Sequence, residues 1–162
     1  APGAALHPAR RCRTGGACTA DPWMTADPMM LARLHARCFQ RPRPWSEAEF
    51  TALLAEPSVF LCENGQGFAL GRSVLDEAEL LSLAVDPDQR RKGAGTTLLR
   101  DYHHHAIERG ARTAFLEVAA DNDAAIALYL AAGYKAQGRR PGYYRAPGTA
   151  PVDALILQRR LG

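Results

Sequence analysis

A short hydrophobic stretch, a basic glycine-containing turn and a helix-forming segment follow one another near the middle of the chain. The stretch over 80–85 reads Leu-Leu-Ser-Leu-Ala-Val, and the turn over 90–95 reads Arg-Arg-Lys-Gly-Ala-Gly. The pattern predicts a helix from Thr96 to about Arg109. Unpaired N–H groups at a helix N-terminus attract anions, and glycines let a phosphate approach the backbone closely. This order therefore predicts a strand, a phosphate-binding loop and a helix.

The turn taken alone fits more than one kind of site. A Walker P-loop requires GxxxxGK[ST], which this turn does not match. A dinucleotide-binding fingerprint requires a third glycine where Leu98 stands, although Glu117 lies near the distance expected of a ribose-binding acid. The strands before Gly93 are expected to be joined by hairpins, which argues against that fingerprint. An ordinary strand-to-helix turn with solvated charges remains the alternative.

The size and charge of the chain exclude several classes of protein. Its 162 residues suit one domain with a sizeable core, and 47% hydrophobic and 23% charged residues are ordinary for a soluble protein. A net charge of +3 is too small to indicate a nucleic-acid partner. No apolar run approaches the ~20 residues that span a bilayer. We therefore expect a cytoplasmic protein, monomeric, without nucleic-acid or membrane partners.

The cysteines and histidines do not predict a metal site. The four cysteines include no CxxC pair or other paired ligand spacing. Cys38 on an apolar helix face and Cys62 in an apolar strand are predicted to be buried thiols, as in a reducing compartment. His103, His104 and His105 are consecutive, so a helix would keep them from converging on one ion. They are predicted to lie on a solvated face.

The order of the predicted elements defines the fold class. Residues 1–23 are rich in Ala, Gly, Pro and Arg without periodicity, and are expected to be a disordered extension or the result of a start site placed too early. In the domain over 24–162, N-capping signals predict helices after Asp27 and after Ser46, and the residue pattern predicts further helices over 96–109 and 123–132. Strands are predicted over 58–62, 67–74, 79–85, 113–118 and 152–157, with one more strand, whose bounds the sequence does not define, in the tail before 152. The order α-α-β-β-β-α-β-α-β-β indicates an α/β (α+β) fold with a mixed sheet and helices on both faces.

Several other motifs accompany the basic turn. They are Trp45-Ser46-x-x-x-Phe50, Asp76-Glu77-Ala78, Leu83-Ala84-Val85-Asp86-Pro87, Arg90-x-x-Gly93-x-Gly95, Leu116-Glu117-Val118, Asn122-x-Ala124-Ala125-Ile126-Ala127-Leu128-Tyr129 and Gly133-Tyr134. Together they resemble the GNAT superfamily of N-acetyltransferases, and within it the ribosomal-protein-alanine N-acetyltransferases. The resemblance covers roughly residues 24–162 and implies a mostly antiparallel central sheet.

The resemblance implies acetyl-CoA as co-substrate and no metal. The backbone of Leu83, Ala84 and Val85 would bind the acetyl and pantetheine part as an added strand would. The segment Arg91-Lys92-Gly93-Ala94-Gly95-Thr96 would hold the pyrophosphate. Asn122 would contact the pantetheine arm.

The resemblance also implies catalytic and acceptor-binding residues. Glu117 matches the general base of the family and Tyr129 its general acid. Trp45-Ser46 and a polar loop over 139–144, with Tyr143 and Tyr144, match the walls of the peptide groove. The implied acceptor is the N-terminal alanine of a small-subunit ribosomal protein.

Each of these assignments has an alternative on the residues alone. Glu117 interrupts an apolar strand, and buried carboxylates are rare without a function, but a strand-end glutamate can also face water. Tyr129 taken alone is more often a core residue of its helix, and only its pairing with Asn122 in the family motif favours the catalytic role. For the whole protein, the alternatives are a GNAT enzyme with another acceptor (a lysine side chain, another protein N-terminus or a small amine) and a non-catalytic acyl-CoA-binding module.

Overall fold

A six-stranded sheet lies between two layers of helices in the computed structural model, which describes residues 27–40 and 42–162. The helices are α1 (Pro28–Cys38), α2 (Glu47–Leu54), α3 (Ala94–Glu108) and α4 (Asp123–Ala131), with a 3₁₀ turn over Pro87–Gln89. The strands are β1 (Val59–Glu63), β2 (Gly67–Val74), β3 (Glu77–Val85), β4 (Thr113–Ala119), β5 (Lys135–Tyr144) and β6 (Val152–Arg160). The extension predicted over residues 1–23 lies outside the described residues.

The sheet is mixed and mostly antiparallel. Its strand order is β1-β2-β3-β4-β6-β5. Neighbouring strands are antiparallel except β3 and β4, which pair in parallel. The predicted fold class is therefore confirmed, and the single parallel pair lies at the centre of the sheet.

The helices cover both faces of this sheet, and each face has its own core. On one face, Leu98, Leu99 and Tyr102 of α3 pack with residues of α4 and the central strands. On the other face, Leu31 of α1 and Phe50 of α2 pack against β1, β2 and β3. We call these the α3–α4 face and the α1–α2 face. No helix in the described ranges is long and apolar enough to cross a membrane.

Local capping signals fix the starts of the first two helices as predicted. The Asp27 carboxylate accepts a hydrogen bond from the Met29 N–H at 2.9 Å, and Pro28 occupies the first helical position. Ser46 and Glu49 form a reciprocal capping box at the start of α2.

A β-bulge in β3 redirects its side chains. Leu70 of β2 pairs with Ser82, but the next residue, Gly71, pairs with Leu80, so Leu81 is an extra residue. Leu80 therefore packs in the core of the α3–α4 face, whereas Ala84 packs in the core of the α1–α2 face. Bulges of this kind re-aim side chains next to functional sites.

Beyond this bulge the two central strands diverge. The parallel pairing joins Glu77 to Thr113 and ends at Glu79 and Phe115, although β3 continues to Val85 and β4 to Ala119. The C-terminal halves of these strands therefore form a wedge-shaped cleft in the middle of the sheet. A cleft between the carboxyl ends of parallel strands is a common position for ligands in α/β proteins.

The structure corrects three sequence predictions. The helix predicted from Thr96 begins at Ala94, because Gly93 adopts the left-handed conformation (φ 83°) that ends the preceding loop. The predicted polar loop over 139–144 is the irregular end of β5. Pairing is interrupted between Arg140 and Tyr144, so this proline-containing segment looks like a loop in sequence but returns to the sheet.

The third correction concerns the histidine run. His104 and His105 are exposed as predicted, but His103 is buried. The turn of the helix directs His103 inward beside Tyr102. The prediction of a fully solvated face was therefore wrong for His103.

Candidate active site

The cleft between β3 and β4 holds a cavity of about 600 Å³. It is lined by most of the sequence-predicted site residues: Trp45, Leu83, Ala84, Val85, Arg91, Gly93, Ala94, Gly95, Thr96, Glu117, Asn122, Tyr129 and Tyr144. The structure thus gathers into one site residues from four stretches that are distant in sequence, namely 45, 83–96, 117–129 and 144. Ser46, Lys92 and Tyr143 are not among the lining residues.

The backbone of β3 is the floor of this cleft. Past Glu79 the strand no longer pairs with β4, so one edge of its backbone faces the cavity. The Val85 carbonyl accepts hydrogen bonds from the Cys38 thiol at 3.3 Å and from Arg90 Nε at 3.4 Å. The Ser82 hydroxyl is buried without a hydrogen-bond partner in the described chain. A strand edge of this kind suits a thin ligand arm that carries amide groups.

One end of the cleft has the features of an anion site. Arg91 and Gly93 both have positive φ angles (62° and 83°), and α3 begins without a side-chain cap. The guanidinium-bearing residues Arg90 and Arg91 line the cavity beside this helix start. Free N–H groups, the helix dipole and positive side chains together favour a phosphate here.

Glycine at position 95 keeps this end of the cavity open. A Cβ atom at Gly95 would lie 3.3 Å from Leu128 Cδ2 and 3.8 Å from Val85 Cγ2. It would therefore fill space between the start of α3 and the β3 strand. Unlike Arg90 and Arg91, Lys92 does not line the cavity. Its Nζ donates to Gln89 Oε1 at 3.1 Å in an exposed contact within the loop.

Glu117 reaches the cleft from the α1–α2 face. Its neighbours Leu116 and Val118 are in the core of the α3–α4 face, and strand alternation directs Glu117 the other way. Its side chain is 24% exposed and lies 3.1 Å from a guanidinium nitrogen of Arg140. Arg140 also lies over the Tyr143 ring, 5.3 Å from its centroid. The Glu117 carboxylate is therefore partly shielded from solvent and pairs with the half-exposed guanidinium of Arg140.

Tyr129 reaches the same cleft from the α3–α4 face. It is 7% exposed, and burial together with nearby Tyr144 raises the pKa of its phenol. Burial and the neighbouring Glu117 raise the pKa of Tyr144 to about 12. Both phenols stay protonated at neutral pH and can act as proton donors. Glu117 therefore influences the pKa of Tyr144, and Tyr144 in turn influences the pKa of Tyr129.

Asn122 has a structural role as well as a place in the cavity. Its side-chain oxygen accepts a hydrogen bond from the Ala125 N–H at 3.2 Å and caps α4. The cap fixes the start of the helix that carries Tyr129. Within residues 27–40 and 42–162, no cluster of side chains that could hold a metal ion occurs.

An aromatic stack of Trp45 and His35 also lines the cavity. The Trp45 ring stacks on His35 with centroids 5.0 Å apart, and the backbone N–H of Trp45 donates to His35 Nδ1 at 3.1 Å. Burial lowers the pKa of His35 to about 4, so the ring is neutral at neutral pH and Nδ1 can accept. Ser46 instead caps α2, and Tyr143 is half-exposed.

Some residues of the site were not identified from sequence. His35 is buried and accepts a hydrogen bond from the Trp45 backbone, and no pattern in the sequence indicates this contact. Arg140 was part of a predicted loop, and only the three-dimensional structure shows its ion pair with Glu117. Asp153 accepts from the Gly142 N–H at 2.7 Å and from Arg139, which together lower its pKa and secure the irregular end of β5.

Comparisons with known proteins agree with this geometry. Residues 29–134 match the model of the acetyltransferase (GNAT) family. The chain is 43% identical over 119 residues to the [ribosomal protein bS18]-alanine N-acetyltransferase of Escherichia coli K12, covering 70% of this chain and 79% of that protein. It is 38% identical over 146 residues to the N-alpha-acetyltransferase RimI of Mycobacterium tuberculosis, covering 85% and 89%.

A solved structure gives the same result for the fold. The crystal structure of the ribosomal-protein-S18-alanine N-acetyltransferase from Escherichia coli superposes with a TM-score of 0.75 and 34% identity, covering 86% of this chain and 90% of that one. The matched family model spans more than half of the sequence and includes the loop over 90–95, Glu117, Tyr129 and every cavity-lining residue except Tyr144. The chain therefore belongs to the GNAT family of acetyltransferases.

Proposed function

We propose that this protein transfers the acetyl group of acetyl-CoA to the N-terminal amine of a protein, with the N-terminal alanine of a ribosomal protein as acceptor (the RimI type). The observation that carries the proposal is the cleft between β3 and β4. It has an anion site at one end, and Glu117 and Tyr129 approach it from opposite faces of the sheet. The names of the bacterial relatives support the alanine acceptor.

The cleft suits the parts of acetyl-CoA. The backbone of Leu83–Val85 would pair with the amides of the pantetheine arm, and Asn122 would contact that arm from the start of α4. The first turn of α3, with Arg90 and Arg91, would hold the pyrophosphate. The open space at Gly95 would let the phosphates approach the helix.

Transfer requires an uncharged amine, and Glu117 is the proposed proton acceptor. An N-terminal amine has a pKa of ~7.7–8.0 and a lysine ~10.4, so deprotonation at neutral pH costs roughly 1 kcal/mol against about 4–5 kcal/mol. A carboxylate acting directly or through one water suffices for the first. As the amine approaches, it would replace the Arg140 guanidinium beside Glu117.

Tyr129 is the proposed proton donor for the leaving thiolate. Once the ammonium proton has passed through Glu117 to solvent, the neutral amine nitrogen forms a bond to the thioester carbonyl carbon. The second proton, which the nitrogen loses as the amide forms, then passes to Glu117. When the carbon–sulfur bond breaks, the Tyr129 hydroxyl gives its proton to sulfur. Exchange with solvent then returns a proton to Tyr129 and removes one from Glu117. A backbone N–H on β3 would stabilise the oxyanion formed between these steps.

The acceptor class can be tested with peptides. At neutral pH, kcat/KM for a peptide with a free N-terminal alanine should exceed that for an Nα-blocked peptide with an internal lysine by about 3 × 10²-fold, the ratio of their neutral fractions. Mass spectrometry of the products locates the acetyl group, and an Nα-blocked peptide without lysine is the control. Acetylation mainly on lysine would contradict the N-terminal assignment. Stoichiometric acetyl-CoA binding without turnover on any amine would favour the binding-module alternative.

The anion site can be tested with two adjacent cations. Arg91→Ala should weaken CoA binding by about 10-fold, because it removes a charge-assisted phosphate contact. Lys92→Ala is the matched control, since Lys92 contacts Gln89 and does not line the cavity. Isothermal titration with CoA measures both dissociation constants. Equal weakening by the two substitutions would show that only net charge matters and would remove the specific role of Arg91.

The setting of the reaction follows from the same proposal. The partner would be a small-subunit ribosomal protein. The enzyme would bind its free N-terminus and would not contact nucleic acid. Cys38 and Cys62 are free thiols, which suits the reducing cytoplasm. We further infer that the protein acts as a monomer, because Arg91, Glu117 and Tyr129 line one cavity within a single copy of the fold.

A further inference from the structure

A polar network of His103, Tyr134 and Arg159 packs against Tyr129, and none of these three residues lines the cavity. His103 Nε2 and the Tyr134 hydroxyl are 2.8 Å apart, and Arg159 lies 3.3 Å from His103 Nδ1. His103 is 7% exposed and Tyr134 2% exposed. Arginine only donates hydrogen bonds, so Nδ1 accepts and Nε2–H donates to the tyrosine oxygen. Burial and Arg159 lower the pKa of His103 to about 4, which keeps the ring neutral in this arrangement.

Two contacts join the network to Tyr129. The Tyr134 ring meets the Tyr129 ring edge-on, with centroids 5.8 Å apart. The Tyr134 N–H donates to the Tyr129 carbonyl at 3.0 Å. Arg159 also donates to the Ala132 carbonyl at 2.7 Å, just past the C-terminal end of α4. The network therefore connects α3 and β6 to the helix and the ring that present Tyr129 to the cleft.

We propose that Arg159, His103 and Tyr134 are positioning residues that hold the Tyr129 hydroxyl in place for proton transfer. The proposal rests on the proposed function of Tyr129. None of the three lines the cavity, so they act through Tyr129 rather than on the substrates. An acid displaced by a fraction of an ångström transfers its proton less well, whereas binding of the cofactor is unchanged.

The experiment compares His103→Leu with His103→Gln. Leucine removes the donor to Tyr134, whereas the glutamine amide can place an N–H near the position of Nε2. We expect His103→Leu to lower kcat by about 5–10-fold with little change in KM for acetyl-CoA, and His103→Gln to stay within about twofold of wild type. His104→Leu, on the exposed side of the same helix, is the control and should have no effect.

A double variant separates positioning from general loss of structure. In a Tyr129→Phe background, His103→Leu should cause no further loss of kcat, because the hydroxyl that it positions is gone. An equal loss in both backgrounds, or wild-type kcat in folded His103→Leu, would overturn the proposal.

The network is also testable if no amine is acetylated, an outcome that would refute the proposed function itself. Hydrogen exchange of the α4 amides should then be faster in His103→Leu than in wild type, and His103→Gln should restore protection. Unchanged exchange in His103→Leu would overturn the network.

Discussion

Glu117→Gln is expected to lower kcat for an N-terminal alanine peptide by about 10²-fold or more, the usual contribution of a general base. Glutamine keeps the shape of the side chain but cannot accept the amine proton. It also loses the ion pair with Arg140, which is half-exposed and contributes at most about 1 kcal/mol to stability. The protein should therefore remain folded and bind acetyl-CoA as wild type does. Steady-state kinetics and CoA titration measure the two effects separately.

Glu79→Gln is the matched control for this substitution. Glu79 lies on the neighbouring strand β3 and is also partly buried; burial raises its pKa, Arg72 lowers it and Glu117 raises it further. It does not line the cavity, so its substitution should leave kcat within about twofold of wild type. Turnover by Glu117→Gln within about twofold of wild type would remove the catalytic role of Glu117.

The parts of the site that were predictable from sequence depend on local signals. The glycines of the basic turn, the cap at Asp27 and the capping box at Ser46 are short patterns whose physics acts within a few residues. They predict the starts of α1 and α2 and an anion site because backbone geometry there is set by neighbours in sequence. The family motifs added Tyr129, which taken alone is more often a core residue, and strengthened the assignment of Glu117, which could also be a strand-end glutamate facing water.

The features that were missed depend on long-range packing. The cleft exists because β3 and β4 stop pairing after Glu79. The residue pattern within either strand does not indicate where the two strands diverge. The segment over 139–144 carries proline, glycine and charges, as loops do, yet Asp153 on β6 holds it in the sheet. His103 belongs to a polar run, but Tyr134 and Arg159, distant in sequence, supply the partners that make its burial possible.

Tyr129→Phe is expected to lower kcat by about 10²-fold, because phenylalanine keeps the buried ring and removes only the proton donor. The raised pKa of Tyr129 defines the expected pH dependence. A general acid must be protonated to act, and a phenol whose pKa lies above its ordinary value of ~10 stays protonated throughout the alkaline range in which the amine becomes neutral. Wild-type kcat should therefore rise with pH through the amine pKa without falling again below about pH 10.

The Tyr129→Phe variant should keep the same rising limb at a lower rate, since the amine still loses its proton over the same pH range. Tyr143→Phe removes a half-exposed phenol outside the cavity and is the control. KM for acetyl-CoA should change by less than about twofold in both variants, because neither hydroxyl is proposed to bind the cofactor. A fall in wild-type kcat well below about pH 10, absent from Tyr129→Phe, would instead mean that the phenol ionises within the working range. In that case burial would not keep Tyr129 protonated at the pH values where the enzyme works. The leaving thiolate would then have to take its proton from water, and Tyr129 would not be the general acid.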